Sequence, residues 1–193
     1  MSWDEEAATW DKDPAVRAYA GAAFESLVAA AGAFSLKLTG ARVCDFGCGT
    51  GLLTERLAER VARVDAVDSS GAMLAVLADK IERQRWADVR AHAALPADET
   101  YDLVVCSSVC AFLEDYPGTV EELVCRLRPG GAFVQWDWEL DPAAEEPFGL
   151  TRQVIHGCLE AAGLEVLTVD TGFSVPFEDQ VMRPLMGLGR KPA

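Results

Sequence analysis

The chain has 193 residues, half of them hydrophobic and a quarter charged, which suits one globular domain with a substantial core. Acidic side chains outnumber basic ones by 31 to 17, for a formal charge of -14. That balance argues against nucleic acid, whose phosphates recruit Lys and Arg, and against anionic membrane surfaces.

No apolar run reaches eighteen residues, so no membrane span is expected. Met1-Ser2-Trp3-Asp4-Glu5-Glu6 has neither the basic region nor the apolar core of a secretory signal. A cytoplasmic location with reduced thiols is the expectation. Cys44, Cys48, Cys106, Cys110, Cys125 and Cys158 form no CxxC pair, so they read as small buried hydrophobes and no metal site is expected.

In chain order, Asp13 caps a first helix that has Pro14 at its first position. Val16, Tyr19, Ala20, Ala23, Phe24, Leu27, Val28 and Ala31 form its apolar stripe. Strands and helices then alternate. Ala41 to Phe46 reads as a strand, Gly51 to Val61 as a helix and Val64 to Asp68 as a strand. Ser70 to Gln84 reads as a Ser-capped helix, Val89 to His92 as a short strand and Tyr101 to Ser107 as a doubly buried one. Thr119 and Glu122 suggest a capping box, and Pro129-Gly130-Gly131 ends the helix that follows it. Ala132 to Trp138 is the next strand, and Thr151 to Ala162 a helix stopped by Gly163. Leu164 to Val175 and Leu185 to Arg190 complete the pattern as late strands. The last is taken to start after Pro184, which fits badly inside a strand.

This alternation predicts a parallel sheet covered on both faces. No repeat or linker divides the chain, so residues 1–193 are expected to form a single domain. The loosest stretch is Asp141 to Gly149, which suits a loop beside a site.

The first strand runs into Asp45-Phe46-Gly47-Cys48-Gly49-Thr50-Gly51 and directly into a helix. Three glycines in five residues allow positive φ and close approach of a ligand to the backbone. In an open α/β sheet, this is where ligands bind. A dinucleotide turn needs G-x-G-x-x-G, but the sixth position is Leu52 counted from Gly47 and Thr54 counted from Gly49. No Gly-Lys-Ser/Thr follows either, so a P-loop is also excluded.

Asp45-x-Gly47-x-Gly49-x-Gly51 resembles motif I of the class I, Rossmann-like S-adenosylmethionine (SAM)-dependent methyltransferases. Leu95-Pro96, Tyr101-Asp102-Leu103-Val104-Val105 and Leu127-Arg128-Pro129-Gly130-Gly131 are similar to later segments of that family, so the likeness covers about Ala41 to Trp138. It implies a three-layer α/β sandwich whose mostly parallel seven-stranded sheet ends in an antiparallel strand, with helices on both faces. It also implies SAM as cofactor. Asp45, Gly47, Cys48, Gly49 and Gly51 would hold the amino-acid end of SAM, with Asp45 near the ammonium group.

Asp68 ends the second strand, where a carboxylate accepts both ribose hydroxyls. Ser69 and Met73 follow in a segment similar to the family's, with Met73 beside adenine or in the core. Many relatives place an acid after the third strand. Here that place falls on Ala91, so adenine recognition is expected from backbone groups of Ala91, His92 and Ala93. Ser107 lies where relatives contact the amino-acid part of the cofactor. The resemblance also implies that residues 1–34 form a helical lid segment, with Trp10 and Tyr19 as candidate contacts.

Methyl transfer is an in-line displacement in which the protein mainly positions and desolvates. The acceptor would sit above Cys106 to Phe112 and Trp136 to Trp138. Trp136 and Trp138 share one face by period two and offer an aromatic wall or core packing, while Asp137 faces the other way. Asp137 is the one candidate base, and catalytic residues are otherwise unassigned. His156 reads as structural.

The reading is a SAM-dependent methyltransferase acting on a small-molecule acceptor. Two alternatives stay open: a non-catalytic SAM-binding or regulatory domain, and a nicotinamide-dependent Rossmann oxidoreductase.

Overall fold

A computed structural model describes residues 3–177 and 180–193, so residues 1, 2, 178 and 179 lie outside the described residues. Among the described residues, nine strands and six α-helices follow one another. They are α1 (Trp3–Trp10), α2 (Pro14–Phe34), β1 (Arg42–Phe46), α3 (Leu52–Ala58), β2 (Arg63–Val67), α4 (Gly71–Gln84), β3 (Val89–His92) and β4 (Tyr101–Ser107), then α5 (Tyr116–Cys125), β5 (Leu127–Asp137), α6 (Arg152–Ala161), β6 (Glu165–Thr171), β7 (Val175–Phe177), β8 (Gln180–Met182) and β9 (Leu185–Arg190). A 3-10 turn, Cys110–Phe112, follows β4.

The main sheet has seven strands in the order β3-β2-β1-β4-β5-β9-β6. The β1–β2, β1–β4, β2–β3 and β4–β5 pairs are parallel. Strand β9 slots between β5 and β6 and runs antiparallel to both. The expected α/β sandwich with a final antiparallel strand is what the chain forms. Strand order reverses between β1 and β4, so a crevice opens above their C-terminal ends, beside the glycine loop.

Period-two alternation sorts side chains between two cores. Val43, Val64, Ala66, Val105, Val134, Trp136 and Leu188 meet Phe24 and Leu27 of α2, Leu53 and Leu57 of α3 and Leu77 of α4. Cys44, Val67, Val104, Cys106 and Phe133 meet Val120 and Leu123 of α5 and Ile155 and Leu159 of α6. Glycines let α6 approach the sheet. A Cβ on Gly187 would lie 2.4 Å from the Ile155 Cγ2 atom.

Several boundaries differ from the sequence reading. Helix α1 was not expected. Its Trp3, Ala7 and Trp10 share one face, and Asp4, Glu5 and Glu6 occupy its first turn, where the positive end of the helix dipole favours them. Helix α5 starts at Tyr116, not at Thr119: Asp115 caps it by accepting the Gly118 N–H at 3.0 Å, and the proline sits in its first turn. An Asp cap followed by Pro117 outcompetes the Thr119/Glu122 box because Pro lacks the N–H that would need satisfying there. Strand β5 begins at Leu127 and passes through Pro129-Gly130-Gly131, with a register shift against β4 between Tyr101 and Leu103. The expected strand from Leu164 to Val175 breaks at Gly172, where a Cβ would sit 2.6 Å from the Trp136 Cδ1 atom. The chain then turns into the small β7–β8 hairpin.

No helix among the described residues is long and apolar enough to cross a membrane. The described residues also contain no cluster of His, Cys, Asp and Glu suited to holding a metal.

Candidate functional site

The glycine loop leaves β1 and is pinned at once to β2. The N–H groups of Gly47 and Cys48 both donate to the Val67 carbonyl, at 2.8 and 3.0 Å, and Gly51 donates to the Cys48 carbonyl at 2.9 Å. All three glycines have positive φ, at 73°, 55° and 84°. Their surroundings differ. A Cβ on Gly47 would meet Val109 Cγ2 at 2.4 Å, and one on Gly51 would meet Leu77 Cδ1 at 2.5 Å. Those two glycines are demanded by protein packing. A Cβ on Gly49 would find its nearest atoms at 3.8 Å on the Trp10 indole nitrogen and 4.0 Å on the Met73 sulfur. Gly49 therefore faces the open side of the loop.

Asp68 closes the loop from β2. One of its carboxylate oxygens accepts the Gly49 N–H at 2.7 Å and the other accepts the Ser70 N–H at 2.8 Å. The Asp68 N–H itself donates to the His92 carbonyl at 3.1 Å, which fixes the acid at the strand ends. Each carboxylate oxygen keeps capacity for a further donor.

Asp45 lies beneath the loop and is 1% exposed. Its Oδ2 accepts the Thr54 hydroxyl at 2.5 Å, while its Oδ1 is buried and has no partner. Burial raises its pKa to about 7, against the opposing Thr54 hydrogen bond, and the nearby Asp68 charge pushes the same way as burial. Cys48 packs in the core, and burial raises its thiol pKa well above the ordinary range, so it is a spacer and not a nucleophile.

Met73 is buried in the first turn of α4 with its sulfur toward Gly49, while Ser69 is exposed beside Asp68. Ala91 and Ala93 are exposed at the end of β3. The His92 ring turns away to Asp65, with Nε2 2.8 Å from Oδ1, and Asp65 also pairs with Arg63 at 2.9 Å. His92 therefore meets the loop region through its backbone alone.

The N-terminal segment is fastened over this loop. Asp4 accepts a hydrogen bond from the Ser70 hydroxyl, and Asp11 accepts one from the Thr50 hydroxyl. Lys80 pairs with the second oxygen of Asp11 at 2.7 Å. These contacts hold α1 against α4 and set Trp10 above Gly49. Trp10 stands edge-to-face with Trp3 at 5.8 Å between ring centroids, and Trp3 with Phe112 at 5.1 Å. Phe112 lies 4.7 Å from Phe148 of the loop that follows β5. One aromatic path thus runs from the glycine loop to the Asp141–Gly149 stretch.

Tyr19 enters from α2. Its hydroxyl donates to the Trp136 carbonyl at 3.1 Å, an acceptor shared with the Ser108 N–H at 2.7 Å. Ser108 takes a left-handed conformation with φ 57°, rare for serine, directly after Ser107 at the end of β4. Tyr19 also rests on Trp138 and Phe173, with centroids at 5.5 and 5.0 Å. Trp136 itself is fully buried, and its indole N–H donates to Ser26 at 3.1 Å.

Asp137 points to the opposite face. It is fully buried, accepting the Ala111 N–H at 3.0 Å on one oxygen and the Gln135 side-chain amide at 3.0 Å on the other. Burial raises its pKa to about 7, opposed by those bonds and by the Cys110 thiol beside it. Tyr116 donates to Gln135 at 2.7 Å, so the carboxylate ends a buried polar chain that anchors the 3-10 turn. His156 lies on the outer part of α6, beside Arg152 and Glu160 and away from this crevice.

The site residues named from sequence fall into three places. Asp45, the three glycines, Asp68, Met73 and Trp10 converge on one crevice. Ser107 and Tyr19 stand at the adjoining ends of β4 and β5, and Asp137 sits behind them. Trp3, Asp4 and Asp11 were missed. The Trp3/Ala7/Trp10 spacing was the available signal for the first.

Known proteins resemble this chain in sequence and in fold. Residues 44–135 match the family described as Methyltransferase domain. The trans-aconitate 2-methyltransferase of Azoarcus sp. is 42% identical over 96 residues, which is 47% of this chain and 36% of that protein. The ubiquinone biosynthesis O-methyltransferase of Stutzerimonas stutzeri is 31% identical over 101 residues, covering 50% of this chain and 44% of that one. The chain thus spans less than half the length of these curated relatives. Among solved structures, the N-methyltransferase NodS of Bradyrhizobium japonicum, in complex with S-adenosyl-L-homocysteine, superposes with a TM-score of 0.76 at 20% identity, over 99% of this chain and 97% of that one. A SAM-dependent methyltransferase from Aquifex aeolicus gives 0.75 at 20% identity, over 97% of both chains. Residues 44–135 are thus similar to the methyltransferase domain family, and the chain has the fold of solved SAM-dependent methyltransferases.

Proposed function

We propose that this chain binds SAM in the crevice above β1, β2 and β4 and transfers its methyl group to a small-molecule acceptor. The observation that carries the proposal is the pair of carboxylates around the glycine loop. Asp68 already accepts the Gly49 N–H, a donor that a pyrophosphate would otherwise use, and Asp45 keeps a buried oxygen without a partner. Two acids at the loop repel a phosphate and attract a cation. SAM carries an ammonium and a sulfonium, so its charges match the loop, whereas those of a nicotinamide dinucleotide do not.

When bound, SAM supplies a methyl group on a good leaving group. Asp45 would take the ammonium, and Asp68 would accept ribose hydroxyls with the lone pairs it has left. Gly49 lets the ligand meet bare backbone, while Met73 and Trp10 flank it. Helix α1 screens the crevice from water, and Ser107, Ser108 and Tyr19 form the floor on which the acceptor would rest. Asp137 holds the turn that carries Phe112, which makes it a positioning residue in this scheme.

Two curated relatives are named for trans-aconitate and for ubiquinone biosynthesis, both small-molecule chemistries, which supports a small acceptor. The absence of a basic cluster in the lid segments weighs against nucleic acid. A soluble, cytoplasmic setting fits the composition.

The test is formation of S-adenosyl-L-homocysteine from SAM with mixtures of small amines, phenols and carboxylic acids. Turnover dependent on one acceptor class supports the proposal. Tight SAM binding with no turnover on any class favours the non-catalytic, regulatory reading instead.

A further inference from the structure

Three segments roof the crevice: residues 3–11, 107–115 and 136–151. Together they hold eleven acidic residues, of which Asp137 is buried and Asp11 and Glu139 are paired with Lys80 and Arg152, and no Lys, Arg or His. Such a one-signed rim creates a field that gathers cations and turns anions away. Of the flanking cations, Lys12 follows the first segment and is exposed, one positive charge against the remaining acids. Arg152 is held by Glu139 at 3.1 Å and by Asp170, and Lys80 is held by Asp11.

The same segments supply the aromatic path Trp10–Trp3–Phe112–Phe148. Phe112 and Phe148 keep 46% and 43% of their surface exposed although they touch each other. Ring faces and edges left in solvent beside carboxylates suit a cation on an apolar frame, since aromatic faces attract positive charge. A carboxylate acceptor, such as the trans-aconitate named for one relative, would need a basic partner that these segments lack.

Resting on the methyl-donor reading above, we propose that the acceptor is an amine on an aromatic or apolar frame, drawn in as its ammonium and methylated on nitrogen. The ammonium first loses a proton to solvent at the acidic rim. The neutral nitrogen lone pair then attacks the methyl carbon, and the carbon–sulfur bond breaks with its electron pair returning to sulfur. The positive charge moves from sulfur to nitrogen, and S-adenosyl-L-homocysteine leaves. A neutral amine attacks unaided, so the site needs no general base, in keeping with both oxygens of Asp137 being engaged.

The experiment compares phenethylamine and tryptamine with phenylacetate, 4-hydroxybenzoate and trans-aconitate as acceptors for the full chain, with SAM binding measured separately by calorimetry. The expected result is an amine kcat/KM at least about a hundredfold above that of any acid, with an amine KM that rises several-fold in high salt. The triple variant E114Q/E145Q/E146Q, three exposed acids with no hydrogen-bond or ion-pair partner among the described residues, should raise the amine KM about fivefold and leave kcat and SAM affinity unchanged. Preference for an acid or phenol, or no amine turnover while SAM binds, overturns the amine assignment alone. Failure to bind SAM overturns the donor reading and, with it, this proposal.

Discussion

The Asp68 carboxylate accepts the Gly49 backbone N–H at 2.7 Å, so the acid that ends β2 clasps the glycine loop that leaves β1. The clasp shapes the loop, and in the proposed function the same residue also receives the ligand. Asp68→Ala removes both and should weaken SAM binding by about 1.5–3 kcal/mol, the worth of hydrogen bonds to a charged group. Calorimetry on the folded variant checks this. Unchanged affinity would remove Asp68 from the site.

The three loop glycines should separate by phenotype. Gly47→Ala and Gly51→Ala drive a methyl group into Val109 and Leu77, so they should lower the melting temperature strongly. Gly49→Ala meets no atom closer than 3.8 Å and pays only for its positive φ, roughly 1–2 kcal/mol. It should stay folded and still lose SAM affinity. A thermal melt paired with a titration for each variant tells the two effects apart.

Asp45 should make cofactor binding depend on pH. In the free chain its pKa is raised to about 7, chiefly by burial. A ligand ammonium favours the ionised form, so below pH 7 binding must expel a proton. SAM affinity should therefore fall as pH drops through 7, approaching tenfold per unit, and level off above it. Asp45→Asn should flatten the slope. Titration in two buffers of different ionisation enthalpy counts the proton directly.

Asp137 should prove structural. With both oxygens engaged and no exposed surface, Asp137→Asn should keep kcat within about threefold, whereas loss of a general base costs roughly 100- to 10,000-fold. Its raised pKa also bears on stability. Relative to an ordinary carboxylate, the folded state holds its proton more tightly. The stability this contributes is fully present below the ordinary carboxylate range and is lost as pH rises through about 7. Wild-type stability should thus decline between about pH 4 and 7 and level off above that, and the Asn variant should decline less. Equal slopes in the two proteins would refute this role.

The sheet and the glycine loop at its switch point were legible because each rests on a local rule. Alternating apolar strands and amphipathic helices set the layers, and the spacing of Gly47, Gly49 and Gly51 excluded a dinucleotide turn before any coordinates. A helical lid over residues 1–34 and a loop at Asp141 to Gly149 were expected, but how they are joined into a roof was not legible. Helix α1 has only eight residues, and its Trp3/Ala7/Trp10 face acquires meaning only when it meets Phe112, more than a hundred residues away. Its fastening depends on side chains from distant segments, Asp4 to Ser70 and Asp11 to Thr50, which no periodicity encodes. The orientation of Asp137 was read correctly from period two, but its burial depends on Gln135 and the Ala111 N–H converging on it. The Thr119/Glu122 box failed because two capping signals competed within one turn and the Asp115–Pro117 pair fitted better.

The central claim is that the acid-flanked glycine loop selects SAM over a dinucleotide. Isothermal titration of the full chain with SAM and, separately, with NADH at pH 8 tests it most directly. The expected result is one-site SAM binding, weakened in Asp68→Ala, and no heat from NADH. Tight NADH binding with no response to SAM would contradict it.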